Sequence, residues 1–261
     1  MQALYIASTG MMAQELNVEV ISNNIANMRT TGFKRQRADF QDLLYQNLRR
    51  AGTVTSDAGT LVPVGVQVGS GVKTVATTRI MSQGNILQTE KELDIAIRGE
   101  GFFQIELPDG RTGYTRDGSF ARDDEGNLVT IDGYLVQPGM QIPEDAISVA
   151  VSNTGQVQVQ LADQTEPQDV GQLELARFVN KAGLEAIGDN LFLETDASGA
   201  PQTSNPGDVG FGDLQHMYLE QSNVNPVTEL SDLIAAQRAY EMNARVISGA
   251  DQMMSAVAQL R

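Results

Sequence analysis

Cysteine is absent from the 261 residues, and histidine occurs once, as His216. No disulfide framework, thiolate nucleophile or thiolate metal site is therefore available. A zinc cluster or a Ser/His/Asp triad would have to rest on that single imidazole. Cations are also scarce: 18 Lys and Arg stand against 33 Asp and Glu, a net charge of −15. Such a balance argues against nucleic acid as a partner, since its binding needs phosphate-neutralising side chains. No apolar run approaches the roughly 18 residues of a membrane span, so the chain is not expected to cross one. The opening "MQALYIASTGMMAQ" has no basic start and no continuous apolar region, and does not read as a cleavable secretory signal. Any export would depend on another machine. There is no GxxxxGK[ST] phosphate loop, and Gly69-Ser70-Gly71 and Gly99-Glu100-Gly101 lack the third glycine of a dinucleotide fingerprint. Asp123-Asp124-Glu125 lacks the alternating ligands of a calcium loop and reads as a solvated hairpin tip. No catalytic residue, metal or cofactor is expected.

What is present is concentrated at the two ends. Residues 1–50 carry six Lys and Arg against four Asp and Glu, so the rest of the chain is strongly acidic. Leu4, Met11, Val18 and Ile25 recur every seven residues, beside a second row of Ala7, Gln14, Ile21 and Met28. That pattern predicts an amphipathic helix with coiled-coil spacing. At the other end Asn225-Pro226 is a helix start, with asparagine as cap and proline in the first turn. From there Leu233, Tyr240, Ile247 and Met254 form one row. Ala236, Asn243, Ala250 and Val257 form a second, and Ala239, Val246, Met253 and Leu260 a third. Two rows suffice for one helix partner; three imply contacts on more than one side. Chain ends fray unless something ties them down, so the two helices are expected to pair with each other and with neighbouring copies.

Between the helices the period changes. Turn signals at Pro108-Asp109-Gly110, Asp117-Gly118, Glu125-Gly126-Asn127, Asp132-Gly133 and Pro138-Gly139 recur about every eight residues, as in an antiparallel meander. "DIAIRG" and "QVQVQL" alternate as strands do. Residues 51–72 hold one charge, Asp57, and read as loop and extended chain. The expected fold is α+β, with long N- and C-terminal helices paired as a coiled-coil-like hairpin around a central, mainly antiparallel β domain. The expected divisions are an inner helix over 1–30, an extended connecting segment over 31–80, a β-rich outer domain over 81–215, and the returning helix over 216–261.

One stretch, "SNNIANMRTTGFKR", resembles the N-terminal signature of the bacterial flagellar rod and hook family. The matching residues are Asn23, Asn24, Ala26, Asn27, Thr30 or Thr31, Gly32, Phe33 and Lys34. Met28-Arg29 departs from it, for the family more often has a small apolar residue followed by Asn or Asp. "LDIAIRGEGFFQI", "YTRDGSF" and "GNLVTIDGY" resemble the family's shared β core, and the block from Glu220 to Met254 resembles its C-terminal helix. Residues 46–72 resemble the extra segment of the distal-rod branch, associated with a straight, stiff tube. The resemblance implies a structural subunit of the flagellar basal body, without enzymatic activity. It would self-assemble into a rigid helical tube that carries torque from motor to hook and spans periplasm to outer membrane. Implied partners are other copies of the chain, proximal rod proteins, the hook protein and the surrounding periplasmic and outer-membrane rings. Candidate assembly residues are Leu4, Met11, Val18, Ile21, Ile25, Leu233, Tyr240, Ile247, Met254 and Val257. The asparagines and Gly32 are expected to turn the chain out of the tube through left-handed backbone. Phe33 would anchor the chain after that turn, and Lys34, Arg35 and Arg37 would meet an acidic neighbour. The alternatives are a proximal rod or hook subunit, a cell-wall-acting enzyme with a β domain, and a phage-like tail component, which would lack the terminal motifs.

Overall fold

A computed structural model of the chain describes residues 2–50, 64–162 and 166–259, without the side chain of Val257. The chain forms two compact units: Met1–Ile25, Gln36–Thr78 and Asn225–Arg261 make the first, Ala26–Arg35 and Arg79–Val224 the second.

The first unit is built on helix α1, Gln2–Ala26, and helix α2, Pro226–Gln259. Helix α2 starts as its sequence dictates. Asn225 Oδ1 accepts from the N–H groups of Val227 at 3.1 Å and Thr228 at 3.4 Å, and Pro226 sits where a missing N–H is harmless. The helices run antiparallel. Asn24 Nδ2 donates to Glu229 Oε2 at 3.1 Å, while a Cβ placed on Gly10 would lie 2.8 Å from Asn243 Nδ2. The buried residues are mostly small: Ala7, Ala13, Val20, Ile21 and Asn24 on α1, with Glu229, Ala236 and Ala250 on α2. On α2 the seam therefore follows the row 229, 236, 243, 250, where small side chains let the backbones approach. Two strand pairs complete the unit. Gln36–Asp42 pairs with Val72–Arg79, and Tyr45–Arg49 runs antiparallel to Val66–Gly69, with every residue of Tyr45–Arg49 exposed.

The second unit holds the larger core. Its main sheet is antiparallel, in the order Glu185–Gly188, Leu191–Leu193, Thr112–Thr115, Phe102–Glu106, Leu135–Val136, Leu128–Thr130, Phe120–Arg122, with Leu175–Arg177 joining Phe102–Glu106 and Gln202–Ser204. This corrects the simple meander read from turn spacing. The hairpin 102–115 does not continue to 120–122, because Leu191–Leu193 takes the free edge of Thr112–Thr115 and Leu135–Val136 takes that of Phe102–Glu106. A pairing partner nearly eighty residues away, as Leu191 is from Thr115, leaves no mark in local turn spacing. A second, three-stranded sheet comprises Ala146–Val151, Gln156–Leu161 and Gln168–Gln172. Phe102 and Phe103 point to opposite faces, as strand geometry requires. Phe103 enters the large cluster with Ile95, Ile97, Val159, Leu173, Leu175 and Leu214; Phe102 joins Tyr114, Phe178 and Phe192. The tip Asp123-Asp124-Glu125 is a turn closed by Asp123, whose Oδ1 accepts from the N–H of Asn127 at 2.7 Å. Among the described residues no group of three or more His, Asp or Glu could hold a metal ion, and no helix is long and apolar enough to cross a membrane.

Candidate functional site

The Asn-rich segment serves both units, each in its own way. In the first unit Asn24 is 1% exposed. Its Nδ2 donates to Gln36 O at 2.8 Å and its Oδ1 accepts from Gln36 N–H at 2.9 Å, while Nδ2 also reaches Glu229. A primary amide is the side chain that can satisfy a backbone N–H and C=O together. Asn24 thus closes the excursion of residues 25–35 at its base and ties it to α2. The expected left-handed asparagines are not found: Asn23 and Asn24 lie within α1, and among the described residues only Asp189, Asn190 and Met217 are non-glycine positions with positive φ. Asn27 instead accepts from Thr30, at Oδ1 from the hydroxyl and at O from the N–H. Hydrogen-bonding capacity, not backbone tolerance, is what these asparagines supply. Gly32 does turn the chain, with φ +68, and a Cβ there would come within 2.8 Å of Asp117 N.

In the second unit the same segment is locked by buried charge. Lys34 is 2% exposed and Glu220 1%. Lys34 Nζ donates to Glu220 Oε1 at 2.5 Å and to Ser82 O at 3.0 Å, and Gly84 N–H donates to the same Oε1 at 2.8 Å. Arg116 Nη1 stands 3.5 Å from Glu220 Oε2, and its Nη2 donates to Gly99 O. Two buried cations thus share one buried carboxylate. Burial is the main force pulling the Lys34 ammonium below its ordinary pKa; Glu220 opposes it and Arg116 adds to it. Backbone bonds knit the same place. Gly32 N–H donates to Glu220 O at 2.8 Å, Arg35 N–H to Asn223 Oδ1 at 2.8 Å, and Ile80 N–H to Arg35 O at 2.9 Å. Asn223 Nδ2 returns to Ile80 O and Ser82 O. Three passes of the chain, 32–35, 80–85 and 220–223, are stitched into one clasp. Lys34 is therefore not the cation expected to meet an acidic neighbour; its charge is consumed inside its own unit. Arg37 is exposed and pairs with Asp39 at 3.1 Å. Phe33 is half-buried.

Comparison with known proteins gives three family matches along the chain. Flagella basal body rod protein matches residues 4–34, Flagellar hook protein FlgE/F/G D1 domain residues 96–159, and Flagellar basal body rod FlgEFG protein C-terminal residues 215–260. A protein of Caulobacter vibrioides named Flagellar basal-body rod protein FlgG is 59% identical over 261 residues, all of both chains. Proteins of the same name from Agrobacterium fabrum and Buchnera aphidicola are 51% and 49% identical, with 99% of each chain covered. This chain belongs to the flagellar basal-body rod protein family. Its three matched stretches contain both halves of the clasp, Lys34 in the first and Glu220 in the last, and Arg116 in the middle one.

The candidate assembly residues of the rod-type helices fall into groups. Ile21 is buried in the pair. Leu4, Met11, Val18, Ile25, Leu233 and Ile247 are half-buried, and Tyr240 and Met254 are exposed. The side chain of Val257 and the whole of Leu260 lie outside the described residues. Of the motif residues, Asn24, Gly32 and Lys34 are buried, whereas Asn23 and Ala26 are exposed. Sequence reasoning missed Arg116, Glu220, Asn223 and Glu229. No local signal singled them out: Arg116 stands beside Asp117 in the polar turn "YTRDGSF", and Glu220 lies five residues before the helix cap Asn225 in "EQSNVNP".

Proposed function

We propose that the chain is a structural subunit of the distal rod of the bacterial flagellar basal body. In this reading copies assemble into a rigid helical tube that carries torque from motor to hook. The observation that carries it is the unused apolar surface of the terminal helices. Tyr5 and Met12 on α1, and Val227, Leu230, Ile234, Met242, Val246 and Met253 on α2, are each exposed by half or more. Each such side chain contributes on the order of 1.5–3 kcal/mol when fully buried, so neighbouring copies on several sides of each helix have much to gain. A head-to-tail contact that does not close generates a tube rather than a dimer. The role is structural and not catalytic. Its partners are other copies, proximal rod proteins, the hook protein and the rings around the rod, and its place runs from periplasm to outer membrane. The acidic surface of the second unit, Asp123 and Asp124 included, faces the rings and resists adhesion by hydration and repulsion.

The ribbon Tyr45–Arg49 with Val66–Gly69 supports the distal-rod branch over a proximal rod or hook subunit, since it lies in the segment that resembles that branch; residues 51–63 lie outside the described residues. Electron microscopy and circular dichroism on the purified chain test the reading. The expected result is straight tubes at high concentration, with helicity rising on assembly. A chain that stays monomeric at all concentrations, with equal helicity throughout, would refute it.

A further inference from the structure

The clasp lies within the second unit, next in sequence to points where the chain passes from one unit to the other. Those passages fall after Ile25, Arg35, Thr78 and Val224. Three of the four adjoin the clasp: Arg35 is part of it, Ile80 follows the third passage, and Asn223 precedes the last. Gly32 bonds to Glu220 and Arg35 to Asn223, so the 32–35 and 220–223 passes run in the same direction. The Glu220 carboxylate, carried on the third pass, binds the other two: it accepts from Lys34 of the first and from Gly84 of the second. A buried ion pair is weak evidence for stability, because desolvating the charges offsets much of their attraction. Here the desolvation is larger still, with two cations to one anion. An arrangement that adds little to equilibrium stability, yet joins three passes that adjoin unit boundaries, calls for another role.

We propose that the Lys34–Glu220–Arg116 cluster is a mechanical tie. It divides force applied to the second unit among three passes, so that no single pass is peeled away alone. This rests on the torque-carrying reading above. The bonds that resist peeling are the short, charge-assisted ones, and burial shields them from competing water.

The chain has no cysteine, so two introduced thiols give unique handles. Arg37→Cys and Asp124→Cys place them on exposed residues, one just beyond the 32–35 pass and one on the outer hairpin tip. The full chain is pulled between them in an optical trap. Lys34→Met and Glu220→Gln are compared with Val159→Ala, a cavity in the core of the three-stranded sheet. The expected result is loss of the highest force peak in the two clasp variants. The cavity variant keeps that peak even where its equilibrium loss, measured by denaturant, equals or exceeds theirs. Should Glu220→Gln fail to fold, Lys34→Met carries the comparison, because it leaves Arg116 and Glu220 as a balanced pair. Equal peak forces in Lys34→Met and Val159→Ala overturn the tie. Tube formation by the same preparations separates the two claims. Tubes with an unchanged force ranking defeat the tie alone, whereas absence of tubes from the wild-type chain defeats the rod reading and leaves the ranking standing.

Discussion

In the second unit Phe103, Ile105, Leu173, Leu175 and Val159 are fully buried, each at 0% exposure, whereas in the first Met12 and Met253 leave about two thirds of their surface in water. The second unit draws its partners from its own chain, strand by strand, and even its buried charges Lys34, Arg116 and Glu220 meet inside it. The first has two long helices whose contact is lined largely by alanine, glycine and asparagine, with many of its larger apolar side chains, Met12 and Met253 among them, left in water. Small residues at the seam bring the backbones together but bury little area, so the pair gains modestly from its own contact. One unit is complete within a single molecule; the other has the surface of a component.

Breaking the complete unit should have the largest effect. Phe103 lies in the main cluster with its ring 5.0 Å from that of Phe120, edge to face. Phe103→Ala is expected to cost about 3–5 kcal/mol, read as a lower denaturant midpoint for the β-sheet signal. The helical signal should not fall with it if the units are energetically separate; coincident loss of both would break the contrast. Asn24→Ala comes next. It removes a side chain that satisfies both Gln36 backbone groups and reaches Glu229, and buried polar groups left unpaired cost about 1–3 kcal/mol. The measured outcome is faster amide exchange at Gln36 and proteolysis within 25–35, while the β core holds its midpoint.

Legibility in the sequence follows the same division. The cap of helix α2 could be read because capping is local chemistry written in Asn225-Pro226, whereas the division drawn at 216 wrongly took in the strand Tyr218–Glu220 that precedes it. The alternating strands "DIAIRG" and "QVQVQL" were legible for the same reason. The sheet order was not, since whether Thr112–Thr115 meets Phe120–Arg122 or Leu191–Leu193 is decided by packing at long range. The helix seam was half legible. The row through Ala236, Asn243 and Ala250 was visible as a heptad, but size favoured Leu233 and Tyr240. Close approach favours the small row, as Gly10 against Asn243 makes plain. Lys34 was misread because a lysine in a Gly-containing turn normally faces water, and its partner Glu220 lies 186 positions away.

A smaller effect distinguishes the units by pH. Burial, assisted by the negative charge of Glu194, pushes the Tyr114 hydroxyl up from 10.0 to about 12. The unfolded chain releases that proton first, so between those values the folded state binds more protons and stability falls as pH rises. The loss begins near the ordinary tyrosine range and is complete above the raised one. Tyr114→Phe should flatten this alkaline slope for the second unit and leave the helices' response to pH unchanged. An identical slope in the variant would show that the hydroxyl is not held neutral by its surroundings.

The smallest effect on the single molecule falls on the exposed helix rows. Met12→Ser and Ile234→Ser exchange apolar for polar atoms at positions 66% and 51% exposed. Surface changes of this kind ordinarily shift stability by less than about 0.5 kcal/mol, so the monomer's denaturation curve should barely move. In the proposed tube each of these side chains would be buried against another copy, once per subunit along the whole length. The free energy lost per subunit is therefore repeated at every contact, and the concentration needed for assembly should rise at least tenfold for each 1.4 kcal/mol removed. Sedimentation of assembled against free protein measures that threshold. A monomer destabilised as much as the tube would mean that these residues already have partners within the chain, and the division between a finished and an unfinished unit would not stand.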